Sequence, residues 1–457
     1  MWFHKHWNLG SNFLSGAQMG VGRTGLGRIA ALALAGASTL VCAQTYGPAA
    51  DPATAAHGPS VVPAGVAPEL AAITERAIDA NPAMRAARLN THAAAVDVSA
   101  ARWQRAPSVS VGAFAFAGGS QIVRGQNVTA NLTVDQPIYA GGQIAGGIER
   151  AKASVRQSEA VTDETAQDIA LRVTNAYFDY LLATRRIQAL EQGLTEHRAL
   201  VGSIERRVEQ EVSPQVDLEL ARSRTAQLME QQTTANAQSA SSLEQLRVLL
   251  NDPGFTPAAP PRYDPAVYYP SDAQAVEEAT TCSPTRRRLQ AAALVARADQ
   301  KLATSQYLPR LSAQFSSNEV TGERVGLSLT QSLNGGLAPI ESARAARSRR
   351  QAAEVQVGAA AQDVQTQLAA DFAENRAAGA RVESSHTAAA AARGVTDSYQ
   401  RLFVVGRRSW LDVMNAALES IQADLAVQDA EVSAMASAAR IQLRTCRWQP
   451  EPQVSRP

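Results

Sequence analysis

The sequence predicts a mainly α-helical chain of long coiled-coil helices, written as two tandem units, with four short strands that only a β-barrel shared between chains could close. Three observations predict it. Landmarks recur in the same order about 200 residues apart. Long proline-free stretches carry apolar residues at a 3-4 spacing. Four runs of alternating polarity lie at matching places in the two units.

Composition narrows the function classes. The 457 residues carry 43 basic and 42 acidic side chains, a net charge of +1. That balance argues against a polyanion-binding surface, so no nucleic-acid partner is expected. Aromatics make up 5%, which suits close helix packing better than a thick aromatic core. Beyond the N-terminal region no run of about 18 or more apolar residues occurs, so no transmembrane helix is expected. The six histidines and Cys42, Cys282 and Cys446 are too scattered for a usual metal site.

Arg23 and Arg28 precede an apolar run from Ile29 to Val41, followed by Val41-Cys42-Ala43. This reads as an export signal over 1–43, cleaved after Ala43, with a long n-region that suits a translation start downstream of Met1. The large Val41 disfavours lipid modification of Cys42. An oxidising compartment permits a Cys282–Cys446 disulfide; two buried thiols are the other reading. A segment 44–80 separates the signal from the repeats.

The first unit covers 81–250 and the second 283–447. Asn81-Pro82 and Ser283-Pro284, 202 positions apart, each supply an N-cap with proline at the first helical position. Pro107 and Pro309 end these helices at the same spacing. Hairpins follow over 107–136 and 309–333. Val128, Ala130, Leu132 and Val134 alternate with polar residues, as do Leu311, Ala313 and Phe315, and then Val325, Leu327, Leu329 and Leu333. Ser108 to Ala117 alternates less cleanly. Runs of about 9–10 residues suit tilted strands crossing a bilayer. Four strands cannot close a barrel and lipid does not tolerate open edges, so membrane strands would require several chains around one barrel. A small soluble sheet capping the helices is the bland alternative.

Ile169, Val173, Ala176, Tyr180, Ala183, Ile187, Leu190, Leu194, Val201, Ile204 and Val208 keep the 3-4 spacing, with His197 filling the gap. Leu411, Met414, Leu418, Ile421, Leu425, Gln428, Val432 and Met435 repeat it. The long helix 143–212 would run about 100 Å. Two shorter helices, 82–105 and 214–250, would match it end to end, and the second unit repeats the sum. The connector 251–282 opens with six prolines and three tyrosines over 251–272 and reads as a strap. A tail, 448–457, follows the second unit. Tyr177, Phe178 and Tyr180 read as packing residues. His92, His197 and His386 read as surface or seam positions, and Arg344, Arg347, Arg349 and Arg350 as a solvated face.

Asp135-Gln136-Pro137-Ile138-Tyr139-Ala140-Gly141-Gly142 resembles the strand-to-helix hinge of the TolC-type outer-membrane factors. Ser332-Leu333-Asn334-Gly335-Gly336 is its second copy, without the proline. Val405-Gly406-Arg407-Arg408-Ser409-Trp410-Leu411-Asp412-Val413 resembles the family's periplasmic helix turn. The doubled set spans about 80–447.

The resemblance implies a homotrimer with a twelve-stranded barrel in the outer membrane and an α-helical tunnel in the periplasm. It implies a passive conduit of a type I secretion or efflux system, for a protein toxin or small molecules. A periplasmic adaptor (membrane fusion) protein and an inner-membrane ABC transporter would dock on it. No cofactor and no enzymatic activity are implied. Asp412 matches a periplasmic constriction residue; Asn415 stands where the family carries a second Asp. A ring of Asp412 would favour cations, although a Ser409–Asp412 capping box explains the same residues. Asp217 and Arg408 match a gate latch, with Phe403 in place of a tyrosine; a solvated pair is the plainer reading. Pro137, Gly141, Gly142, Gly335 and Gly336 are the hinges. A competing class is a soluble periplasmic coiled-coil adaptor or scaffold. It would need a lipoyl-like or barrel domain flanking one hairpin, whereas here strand pairs interleave two hairpins.

Overall fold

Asn81 and Ser283 begin their helices as the sequence suggests. The Asn81 side chain accepts from the Ala83 N–H at 2.9 Å, and Ser283 Oγ from the Arg286 N–H at 3.3 Å. The helices they open are each 22 residues long. The computed structural model describes residues 62–63, 65–115, 128–258, 261–267, 274–318, 322–331 and 336–450. The expected export signal, Leu333, the hinge residue Gly335 and the end of the tail lie outside the described residues.

In chain order the elements are α1 (Pro68–Ala80), α2 (Pro82–Trp103), β1 (Ser108–Ala115), β2 (Val128–Tyr139), α3 (Gln143–Glu209) and α4 (Gln215–Leu250). Then come α5 (Ala275–Cys282), α6 (Pro284–Ser305), β3 (Arg310–Asn318), β4 (Gly322–Thr330), α7 (Ala338–Val404) and α8 (Trp410–Arg444). Helices α3 and α7 have 67 residues each, or about 100 Å at roughly 1.5 Å per residue. Helices α2 and α4 both pack on α3; α6 and α8 both pack between α3 and α7. Short helices thus share the length of a long one in each unit. The hairpins and helix turns lie at opposite ends of α3 and α7.

The four strands form one antiparallel sheet in the order β1-β2-β3-β4. Its register puts Val109, Val134, Phe315 and Val325 in one cross-strand row, and Ser110, Thr133, Ser316 and Arg324 in a row on the other face. One face is therefore mainly apolar, broken by Gln136, Ser317 and Glu323, and the other is mainly polar. Val109, Val111, Val325, Leu327 and Leu329 are 65–83% exposed in the single chain. The register shifts between Pro137 and Tyr139, where the proline has no N–H to offer the ladder.

The largest core cluster joins α1, α3, the end of α4 and the end of α8, with Leu70, Tyr177, Leu246, Met435 and Trp448 fully buried. Two parts of it escaped the sequence reading. Helix α1 lies in what read as a plain segment before residue 81. Trp448, placed in the tail, is 1% exposed. The connector behaves as a strap: Phe255, Tyr263 and Val267 pack on this core, though its end folds into α5. Cys282 and Cys446 form a disulfide, which decides between the two readings of the cysteines. Helix α8 buries a wider face than its 3-4 stripe predicted. Val413, Ala416, Ala417, Ser420, Val427 and Ala430 are buried as well, because α8 has a long helix on either side. Close approach to α3 is possible because Gly193 has no side chain; a Cβ there would lie 2.6 Å from Ile421.

Candidate functional site

The two helix turns, 210–214 and 405–409, are built alike. Turn one ends α3 with Glu211 at φ 58°, and the Val212 N–H donates to the Arg207 carbonyl at 2.8 Å. Turn two ends α7 with Gly406 at φ 72°, and the Arg407 N–H donates to the Leu402 carbonyl at 2.8 Å. Both are left-handed helix ends of the Schellman kind. Glycine takes this conformation freely; Glu211 does so against its Cβ.

One apolar cluster joins both turns. Ile204, Leu218, Ala221, Phe403, Trp410, Val413 and Met414 are buried together, with Leu200, Val201, Val208 and Tyr399 packed around them. On this base the charged residues are placed. Ser409 caps α8: its hydroxyl accepts from the Asp412 N–H at 3.1 Å, and Asp412 Oδ2 accepts from the Ser409 N–H at 3.3 Å. The Arg408 guanidinium lies 3.6 Å from the Asp412 carboxylate and over the Tyr399 ring at 4.4 Å. Hydrogen bonding to Ser409, with Arg408 nearby, holds the Asp412 carboxyl below the usual carboxylate range. Asp412 therefore stays ionised well into mild acid.

Asn415 is exposed, one turn along α8 from Asp412. Glu419 continues the same exposed stripe one turn further. It restores an acidic group that Asn415 lacks, and the sequence reading passed over it; its i+7 spacing from Asp412 was the available signal. Asp217 is half-buried in the first turn of α4, the repeat partner of Asp412. Pro214 precedes it where Ser409 precedes Asp412, so no hydroxyl cap reaches it. Among the described residues Asp217 and Arg408 make no hydrogen bond or ion pair with each other; Arg408 is held by Asp412 and Tyr399. Phe403 is buried, and the Arg207 guanidinium lies over its ring at 4.8 Å.

At the other end, Gly141 has φ 57° and Gly142 φ 86°. Gly142 is the residue before α3, and the Gly146 N–H donates to its carbonyl at 2.8 Å. A Cβ on Gly141 would sit 2.8 Å from Leu308 Cβ, so the hinge also seats the second hairpin. Gly336 has φ 68° just before α7. No group of three or more His, Cys, Asp or Glu placed to hold a metal occurs among the described residues.

With this geometry in hand, the sequence over 73–252 matches the outer membrane efflux protein family. The matched stretch runs from α1 just past the end of α4, which is the first repeat unit. The second unit repeats the fold of the first. No curated protein matches the sequence. Solved structures match nearly the whole described fold. The transmembrane channel CusC superposes with a TM-score of 0.75 at 15% identity, covering 86% of this chain and 95% of that one. The outer-membrane channel OprN gives 0.73 at 18%, covering 84% and 91%. The outer membrane protein VceC of Vibrio cholerae gives 0.71 at 15%, covering 82% and 96%. The family is one of efflux proteins of the outer membrane. The resemblance drawn from the hinge and turn motifs therefore agrees with the family match over 73–252 and with the fold of these solved structures.

Proposed function

We propose that the chain is an outer-membrane channel-tunnel that acts as a passive conduit, in the outer membrane at its sheet end and in the periplasm along its helices. The observation that carries this is the sheet. One chain exposes a mainly apolar face and leaves the outer edges of β1 and β4 without a strand partner among the described residues, above helices about 100 Å long. Lipid tolerates such a sheet only in a closed barrel. Three copies give twelve strands, and each contributes a segment of the helical wall.

The acidic stripe of Asp412 and Glu419, with Asn415 between them, would form rings at the periplasmic end and favour cations. Energy comes from the partners, a periplasmic adaptor and an inner-membrane ABC transporter, whose docking opens the tunnel. Cargo is a protein toxin, as in type I secretion, or small molecules, as in efflux. A latch between Asp217 and Arg408 would be a contact between neighbouring chains, since within one chain they are not bonded. Planar-bilayer conductance of the purified protein tests the reading. Discrete cation-selective steps are expected, with trivalent-cation block relieved in the Asp412→Ala, Glu419→Ala double variant. Absence of any conductance would leave the soluble scaffold as the better reading. Block unchanged in the double variant would remove these residues from the constriction.

A further inference from the structure

A short helix leads into each unit, and the two are equivalent. Helix α1 ends at Ala80, just before Asn81, and α5 ends at Cys282, just before Ser283. The spacing of 202 that relates the unit starts matches Arg76 to Glu278 and Ala80 to Cys282. At the unit ends a spacing of 195 matches Asn251 to Cys446 and Asp252 to Arg447. These positions meet in both units. Arg76 pairs with Asp252 at 3.0 Å and Arg447 with Glu278 at 2.7 Å, the same tie with its charges exchanged. Asn251 and Cys446 both take the left-handed conformation, at φ 50° and 55°, just past α4 and α8.

What holds the short helices differs. Helix α1 has 13 residues and buries Leu70, Ala71, Ile73, Thr74, Ala77 and Ile78. Helix α5 has eight and buries only Ala275 and Ala279, against Leu368 and Phe372 of α7 and Ile441 of α8. Two alanines bury little apolar surface, and a helix of about two turns does not stand alone. Both ion pairs are part-exposed and hold little by themselves. The second unit adds the Cys282–Cys446 disulfide, where the first has Ala80 and Asn251. The covalent bond thus stands where the apolar anchorage is missing.

We propose that this disulfide is the clasp of α5, and that a thiol-oxidising step in the exporting compartment closes it before copies of the chain associate. In that step the thiols of Cys282 and Cys446 give two protons and two electrons to the disulfide of a protein thiol oxidant. The exchange runs through a mixed disulfide, and the oxidant leaves as its dithiol. Cys42 lies in the expected export signal, so no wrong pair within the processed chain competes. With the clasp open, α5 lifts and uncovers Leu368 and Phe372, which are 0% and 5% exposed beneath it. They lie on α7, the last long helix of the chain's wall, where a neighbouring copy would pack. The association step rests on the channel reading above; the clasp itself does not.

The test uses the purified full chain. The Cys282→Ala, Cys446→Asn double variant copies the first unit, so the left-handed end survives and only the thiols are lost. Hydrogen exchange over 275–282 should be roughly thirtyfold faster in this variant, and in the reduced parent, than in the oxidised parent. Helix content by circular dichroism should not change. In mild detergent the reduced parent should be monomeric and should regain the oligomer when oxidised glutathione is added; the variant should not. Unchanged exchange in the variant would overturn the clasp. So would loss of helix throughout the chain, which would make the bond a general stabiliser. An oligomer formed equally well by the variant would overturn the association step. An oxidised parent that stays monomeric, yet exchanges faster over 275–282 on reduction, would refute the channel reading alone.

Discussion

His197 sits in the seam between α3 and α4 with 0% exposure. Thr225 Oγ1 donates to the Ala221 carbonyl at 2.9 Å and lies 3.2 Å from His197 Nδ1. The hydroxyl proton is thus spent, so Nδ1 carries the imidazole proton and Nε2 is a bare nitrogen with no partner. Burial lowers the pKa of this histidine. No charged group contributes to the shift, and burial alone moves it. The unfolded chain then binds the proton more readily than the folded one. Stability from this group is complete above about pH 6.5 and is lost as pH falls from there through the lowered folded value. The loss is at most about 1.4 kcal/mol per chain for each pH unit in that window. His197→Leu should flatten the fall of the thermal midpoint as pH drops below about 6.5. An unchanged slope in that variant would show that other groups set it.

At the scale of elements, both ends of the long helices depend on left-handed residues. The strand-to-helix hinge was legible because Gly141 and Gly142 follow an alternating run. Their inequality was not legible. A Cβ on Gly142 meets nothing within 4 Å, whereas one on Gly141 meets Leu308 Cβ at 2.8 Å. Gly142→Ala is expected to cost only the left-handed backbone term, about 1–2 kcal/mol. Gly141→Ala adds a clash with the second hairpin and should cost about 1–3 kcal/mol more. Heat stability of the assembled protein, followed by its oligomer band, checks the order; equal losses would mean the hairpin simply yields. The helix periodicity located one stripe on each helix, because a 3-4 pattern reports one apolar neighbour. It missed the Ala and Ser stripe of α8 that faces α7. Small residues allow helices to approach closely yet carry little hydropathy to read.

The whole molecule adds polar ties between and within its two units, and one covalent tie from the connector, to the core packing. Arg287 pairs with Asp163 at 2.7 Å and Arg288 with Glu164 at 2.6 Å, tying the start of α6 to α3. Arg440 and Arg444 hold the nearly buried Asp371 at 2.9 and 2.7 Å, tying the end of α8 to α7. The Cys282–Cys446 disulfide closes the same level. These ties surround the place where α6 and α8 meet end to end, which leaves the turns far from any covalent link. The free sheet edges carry the prediction at this scale. In mild detergent the protein should run at three times its 48.4 kDa chain mass, less any processed signal, and collapse to one chain on boiling. A stable monomer would mean the strands never close a barrel.

By itself the sequence determined the repeat, the helix periods and the alternating strands. Each of these is a local pattern, set by backbone geometry. Motif resemblance led from there to the family. Only the tertiary structure decided which side chains meet. It joined Arg207 to Phe403 across 196 positions, gave Arg408 to Asp412 in place of Asp217, paired the cysteines and buried Trp448. Such contacts depend on how distant segments pack, and a side chain's own neighbours in sequence carry no trace of that.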